Sequence, residues 1–428
     1  MSGHVNTWVR WERFLLTVFL SSRLWILFSR WGESWGFDSD AHRWMLQILS
    51  WKNPIVGVRE SFFSYHPPLG FLLPHSLMSL GVSDIVSVQL VSFAASLTAF
   101  FFLRATLQHL NLLYHPVSLA FLYLTASIPL QVYMAASINL DAIIVACASA
   151  TLYVSIRLFW CENTREQTIR LTLGLIAVLT FSLLTRFSGL ILLTIPPLVA
   201  VFSPKTQFQF KRITAATFLS IFALALASPY YFNRYYKTEG VFLPSNNDGW
   251  IEPYQAERNQ DRLTFVLNQL FAPIAHAEGT ALEDFDFAGI RLFDTWNSIW
   301  ARSTWFRAQN SPSIFVSMMY IASMPILLLS GFIALRKYRH RSPPLWRALG
   351  LVVLTFSLLQ VIASLQFVYD KPYAPWHPAK AIYIAPVIFG IGYLLSNNLY
   401  ACRSVRAWKV ALICVALFTI INHVVPVY

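Results

Sequence analysis

Residues 139–159 read Asn139-Leu-Asp141-Ala-Ile-Ile-Val-Ala-Cys147-Ala-Ser-Ala-Thr-Leu-Tyr153-Val-Ser-Ile-Arg157-Leu-Phe159. No residue between Asp141 and Arg157 carries a charge. A helix rises about 1.5 Å per residue, so a run of this length matches the roughly 30 Å hydrocarbon core of a bilayer. Working outward, comparable runs lie at 12–30, 86–106, 114–134, 170–186, 188–203, 212–232, 313–335, 347–368, 379–397 and 408–427. The pattern predicts an all-α polytopic membrane protein with about eleven transmembrane helices.

Composition agrees. The 428 residues are 56% hydrophobic and 12% charged, about half the charge of an ordinary soluble domain. That excludes disorder and a soluble globular domain. The apolar residues come in continuous runs rather than in alternation, which excludes an outer-membrane barrel. The net charge is +12. In a soluble chain this balance points to nucleic acid, but here its placement explains it. Short loops at 160–169, 204–211, 336–346 and 398–407 carry Arg165, Lys205, Lys211, Arg336, Lys337, Arg339, Arg341, Arg403 and Arg406. Basic short loops are retained on the cytoplasmic side. The N-terminus is then cytoplasmic, and the two long loops, 31–85 and 233–312, face outward. No nucleic-acid partner is expected.

The loop 233–312 holds ten of the twenty acidic residues. Both long loops are rich in aromatic residues, which suits short interfacial helices. The four cysteines, Cys147, Cys161, Cys402 and Cys414, form no metal or disulfide spacing and read as small hydrophobes. Arg10 and Arg13 precede a run longer than a signal-peptide core, so the first span is expected to stay as an anchor. No internal repeat is visible, and residues 1–428 read as a single transmembrane domain.

The chemistry concentrates outside the spans. Gly36-Phe-Asp38-Ser-Asp40-Ala-His42-Arg43-Trp44 sets two carboxylates, an imidazole and a guanidinium together just after the first span. A bland reading has Asp38 or Ser39 capping a helix. The functional reading makes one carboxylate a general base on an acceptor hydroxyl. Asp38 and Asp40 could also hold a divalent cation through hard oxygen ligands. About twenty residues later, Tyr65-His-Pro-Pro-Leu69 fixes His66 and Tyr65 on a stiff backbone.

This order of features resembles the GT-C superfamily of polyprenyl-phosphate-sugar-dependent glycosyltransferases, and within it the branch of protein O-mannosyltransferases and the aminoarabinose transferase of lipid A. Three further segments carry the resemblance. Leu184-Thr-Arg186-Phe-Ser-Gly-Leu190 is similar to that branch's Leu-Thr-Lys-Tyr-x-Gly turn. Ser228-Pro-Tyr-Tyr-Phe-Asn-Arg234, followed by Gly240, is similar to its Pro-Trp-x-x-Arg-Asn segment. His377-Pro-Ala-Lys380-Ala-Ile-Tyr383-Ile-Ala-Pro386 is similar to its basic-Tyr-x-x-Pro segment.

The resemblance implies a GT-C-like fold and an active site on the extracytoplasmic face. It implies an inverting transfer from a lipid-phosphate-linked sugar to a lipid, glycan or protein acceptor. An acidic residue of the first external loop serves as base, which points to Asp38 or Asp40, with Asp40 preferred and Asp38 then the structural or metal partner. The sequence has Asp-Ser-Asp where many members have Asp-Glu, so a mannosyltransferase of glycolipid-anchor assembly stays open. A bacterial plasma membrane is the favoured location, with the endoplasmic reticulum as the alternative.

A departing lipid phosphate needs cations. Arg186, Arg234, Lys380 and Arg43 are the candidates for it, against snorkelling arginines and a local Arg43–Asp40 pair as plain readings. His66, Tyr65, Asp141 and His377 are candidates for substrate contact; Asp141 at a helix N-terminus also suits the dipole. The competitor from another class is a transporter or lipid flippase, which would place ionisable residues near the midplane and show repeats.

Overall fold

A computed structural model describes residues 2–33, 43, 45–47, 49, 66–137, 140–205, 209–240, 242, 299, 313–370, 385–402 and 404–424. Helices are the only regular elements among them. In chain order they are α1 (Ser2–Ser29), α2 (Leu69–Met78), α3 (Asp84–His109), α4 (Pro116–Ser127), α5 (Pro129–Ala136), α6 (Asp141–Trp160) and α7 (Arg165–Leu183). A 3-10 helix (Phe187–Thr194) follows, then α8 (Ile195–Val201), α9 (Gln209–Tyr231), a π-helical turn (Phe232–Tyr236), α10 (Ser313–Lys337), α11 (Pro344–Asp370), α12 (Ile388–Asn397) and α13 (Val405–Val424).

Among the described residues six stretches are long and apolar enough to cross a bilayer: α3, α6, α7, α9 with its continuation to Glu239, α11 as far as Ala363, and α13. The α4–α5 pair is a seventh if its halves form one span. The expected count of eleven is not confirmed among the described residues, and four local features bear on it. The run 114–134 is bent by 52°, because Pro129 has no N–H to continue the helix and Ile128 before it is extended. The run 188–203 becomes the 3-10 helix and the seven-residue α8, together Phe187–Val201, which is shorter than a span. Within the run 379–397, residues 379–384 lie outside the described residues, and the described α-helix spans Ile388–Asn397. α1 is long enough at 28 residues but carries Arg10, Glu12, Arg13 and Arg23.

The α4–α5 break is held by its neighbours. Arg23 of α1 is fully buried and donates to the carbonyls of Ala126 and Gln131. Asn422 of α13 donates to Ser127 O at 2.9 Å. In a bilayer each unpaired carbonyl is costly, so side chains replace the donors that the proline break removes.

α3 and α6 lie side by side and parallel: Phe102 and Tyr153 rings meet at 5.5 Å, and His109 bonds the Tyr153 hydroxyl at 3.1 Å. α1 runs antiparallel to α3, since Glu12 pairs with Arg104 at 2.8 Å while Gln89 reaches Arg30 O at 2.7 Å. The basic loops gather at one end. His109 contacts Arg157, and His115 on the same loop packs on Tyr400 and Trp408. Trp160 donates to Val199 O, and Trp346 donates to Asn397 Oδ1. All four basic loops therefore share the end where α6 finishes. Asp141 opens α6 at the other end, about 30 Å away at 1.5 Å per residue.

Candidate active site

The first element of the site is the His66-Pro67-Pro68-Leu69 turn. Pro68 sits at the N-terminus of α2, where a missing N–H costs nothing, and its carbonyl accepts from Phe71 N at 2.8 Å. Leu69 N donates to Leu184 O at 3.0 Å. That bond joins two segments 115 residues apart, the double-proline turn and the end of α7.

The second element is the turn after α7. Arg186 is extended (φ −155°, ψ 151°) between α7 and the 3-10 helix. Its N–H donates to Ser182 O at 3.2 Å, and its carbonyl accepts from Gly189 N at 2.9 Å. Gly189 is needed for this reversal, because a Cβ there would stand 2.3 Å from Ser182 O.

These turns deliver Arg186 to Asp141. Arg186 Nη2 donates to Asp141 Oδ2 at 3.0 Å, and Nε stands 2.9 Å from Oδ1 as an ionic contact. Arg186 Nη1 donates to His66 Nε2 at 2.8 Å. A guanidinium has no acceptor, so Nε2 must offer a lone pair. His66 is therefore the neutral tautomer with its proton on Nδ1 in this arrangement. Asp141, Arg186 and His66 are 2%, 2% and 5% exposed. Asp141 also lies at the N-terminus of α6, where the helix dipole favours a carboxylate.

The third element is the end of α9. Tyr231 Oη donates to Leu183 O at 2.6 Å. Phe187, next to Arg186, packs on His66 at 5.5 Å, on Tyr231 at 6.0 Å and on Tyr235 at 5.5 Å. The π-helical turn 232–236 widens the helix by one residue per turn and brings Arg234 and Tyr235 together to the buried side. The Arg234 guanidinium lies 5.9 and 5.7 Å from the Tyr230 and Tyr235 ring centres. Gly240 closes the segment at φ +70°, a conformation suited to glycine.

The helices that follow or precede these residues, α2, α6 and α7, leave an apolar slot of about 430 Å³ together with α3. Leu73, Ala95, Ala146, Ala150, Val178 and Phe181 line it. Ile143, also in its wall, is half a turn from Asp141, and Phe181 O accepts the hydroxyl of Thr185 beside Arg186.

Three of the expected residues, His66, Asp141 and Arg186, thus form one buried cluster, and Arg234 joins it through the aromatic layer. Arg43 is elsewhere: its Nε pairs with Asp84 Oδ2 at 2.8 Å, at the start of α3. Asp38, Asp40, Tyr65, His377 and Lys380 lie outside the described residues. Among the described residues no cluster of three His, Cys, Asp or Glu could hold a metal. Sequence reading gave no role to Asp84, Gln89 or Arg23. The signal for Arg23 was visible, as a charge inside an apolar run.

No protein-family model and no curated protein matches the chain. Two solved structures do. ArnT from Cupriavidus metallidurans in the apo state is 16% identical, with a TM-score of 0.51 over 96% of this chain and 62% of that one. The same protein bound to undecaprenyl phosphate gives a TM-score of 0.52 at 16% identity, over 95% of this chain and 62% of that one. The chain spans 62% of the ArnT length. It is an integral, multi-pass membrane protein whose helical fold is similar to that of ArnT.

Proposed function

We propose that this protein is a membrane glycosyltransferase that moves a sugar from a polyprenyl-phosphate carrier to an acceptor hydroxyl. The observation that carries this reading is the buried Asp141–Arg186–His66 cluster, borne by helices that also enclose an apolar slot. A fixed cation and a hydrocarbon-lined space on the same helices suit an anionic headgroup with a lipid chain. A protein of the same fold was solved with undecaprenyl phosphate bound.

In this reading the acceptor oxygen attacks the anomeric carbon while the bond from that carbon to the phosphate oxygen breaks. The bonding electrons leave on the phosphate, and the acceptor proton passes to the Asp40 carboxylate, with Asp38 as its partner. Attack opposite the leaving group inverts the anomeric centre. Arg186 and Arg234 stabilise the charge that develops on the phosphate, with Lys380 as a further candidate cation, while Arg43 pairs with Asp84. Asp141 fixes the rotation of the Arg186 fork, so no reorganisation is needed at the moment of transfer. His66, Tyr65 and His377 contact the sugar or acceptor.

The gathering of four basic loops at the far end supports a cytoplasmic location for that end and for the N-terminus. The site then faces the extracytoplasmic side, of a bacterial plasma membrane in the favoured case. The whole chain acts as one transmembrane unit. A transporter reading draws on the broken α4–α5 span and on buried Arg23. Both are satisfied internally, since Arg23 is engaged with the break's own carbonyls.

The test uses purified protein and a radiolabelled polyprenyl-phosphate sugar. Wild type should release polyprenyl phosphate in the presence of acceptor, and Asp40→Asn should lose at least about a hundredfold in rate, as loss of a general base does. Undiminished transfer by both Asp38→Asn and Asp40→Asn contradicts the assigned base. No consumption of any polyprenyl donor contradicts the reading as a whole.

A further inference from the structure

The turn between α10 and α11 gathers five basic residues in six positions, Arg336, Lys337, Arg339, His340 and Arg341, and all five are exposed. Elsewhere at this end of the bundle Arg104, Arg170 and Lys205 face Glu12, Glu166 and Glu162. Here the pattern differs: among the described residues no ion pair includes Arg336, Lys337, Arg339 or Arg341. The reason lies in the sequence. Asp370 is the only acidic residue between Asp294 and Tyr428, and it stands at the far end of α11, about 39 Å from Pro344 at 1.5 Å per residue.

The cations are nevertheless presented by an ordered backbone. Tyr338 N donates to Ala334 O at 2.9 Å, Arg341 N to Tyr338 O at 2.9 Å and Ser342 N to Arg339 O at 3.3 Å, which closes the turn as a 3-10 helix (Arg339–Arg341). The half-buried Tyr338 ring has Lys337 Nζ at 5.6 Å and Arg341 Cζ at 5.2 Å from its centre. Just before the turn, Ile326, Leu329, Phe332 and Ile333 of α10 are each more than half exposed. Steps of three and four residues set Ile326, Leu329, Ile333 and Arg336 on one helix face. An apolar stripe about 10 Å long thus leads directly into the cations.

We propose that the α10–α11 turn binds an anionic phospholipid, with its headgroup phosphate on Arg336, Arg339 and Arg341 and an acyl chain along Ile326, Leu329 and Ile333. Retaining a loop on one side of a membrane needs positive charge alone. It needs neither an ordered turn nor an apolar stripe on the same face. Clusters of roughly four to eight basic residues beside a membrane helix attract anionic headgroups, each cation adding to the attraction. A guanidinium also suits a phosphate by its two parallel N–H donors. An acidic protein would use the cations but not the stripe, which favours the lipid. The turn lies at the end of the bundle opposite Asp141 and Arg186, so the inference stands apart from the transferase reading.

The test uses the full chain in a neutral detergent, with bound lipid counted by native mass spectrometry. Phosphatidylglycerol and phosphatidylcholine of the same acyl composition are the probes. Wild type should retain phosphatidylglycerol in preference to phosphatidylcholine and in a saturable way. Arg339→Gln with Arg341→Gln should weaken phosphatidylglycerol binding about tenfold or more, since each cation near the surface contributes separately. Arg165→Gln with Arg170→Gln makes the same change of net charge on another basic loop and should alter binding by less than about twofold. Soluble glycerol phosphate should not displace the lipid. If the first double variant does not fold, Arg339→Gln and Arg341→Gln singly, both exposed, are compared with Arg165→Gln, and each should weaken binding about threefold or more. Equal retention of the two lipids, an equal effect of the two double variants, or displacement by glycerol phosphate overturns the proposal. Wild type that captures poly-glutamate but shows no lipid preference also overturns it, in favour of an acidic protein partner.

Discussion

Arg186 and Asp141, 45 residues apart in sequence, form an ion pair in which both side chains are 3% exposed. Burying two charges is costly, and removing one partner leaves the other without compensation. Arg186→Met or Asp141→Leu alone should destabilise the protein by roughly 3–5 kcal/mol. The double variant should recover most of that loss and still transfer no sugar. Thermal unfolding in detergent, read beside the transfer assay, checks both halves of this expectation.

His66 offers a lone pair to Arg186, so its replacement should depend on whether that acceptor survives. His66→Phe leaves a buried guanidinium N–H unpaired and should cost about 1–3 kcal/mol. His66→Gln keeps an acceptor oxygen and should lie closer to wild type in stability. Equal melting temperatures for the two variants would contradict the assigned donor and acceptor.

Gly189 lets the chain reverse against Ser182 O. Gly189→Ala should push the Arg186 turn away from α7 and destabilise by about 1–3 kcal/mol, in the range of other overpacking substitutions. Gly174, whose Cβ would meet open space, is the control: Gly174→Ala should be neutral or slightly stabilising.

The two ends of the bundle should label from opposite sides. In a cysteine-free background, Glu239→Cys lies at the site end and Arg339→Cys at the basic end. A membrane-impermeant maleimide applied to intact cells should modify the first and spare the second. The reverse pattern contradicts the orientation.

Much of the fold was legible locally. Apolar runs of about twenty residues mark α3, α6, α7, α9, α11 and α13, because span length is set by bilayer thickness. The breaks were less legible. Pro129 and Pro196-Pro197 are visible as residues, but whether a proline kinks a span or ends it depends on which neighbours replace the lost donor, here Arg23 and Asn422. The site was legible in its parts: Arg186, His66 and Asp141 were each selected singly, from motif position or helix end. Their meeting was not legible, because pairings across 45 and 120 residues are set by how α2, α6 and α7 pack. Arg43 shows the same limit, since its partner Asp84 lies 41 residues along the chain.

In the proposed reading the Asp141–Arg186–His66 cluster receives a lipid-linked phosphate. Binding of polyprenyl phosphate to purified protein, followed by the rise in melting temperature with ligand concentration, tests it most directly. Wild type should be stabilised in a saturable way, and the folded Arg186→Met, Asp141→Leu double variant should show no shift. A double variant stabilised as strongly as wild type would place the phosphate elsewhere and contradict the claim.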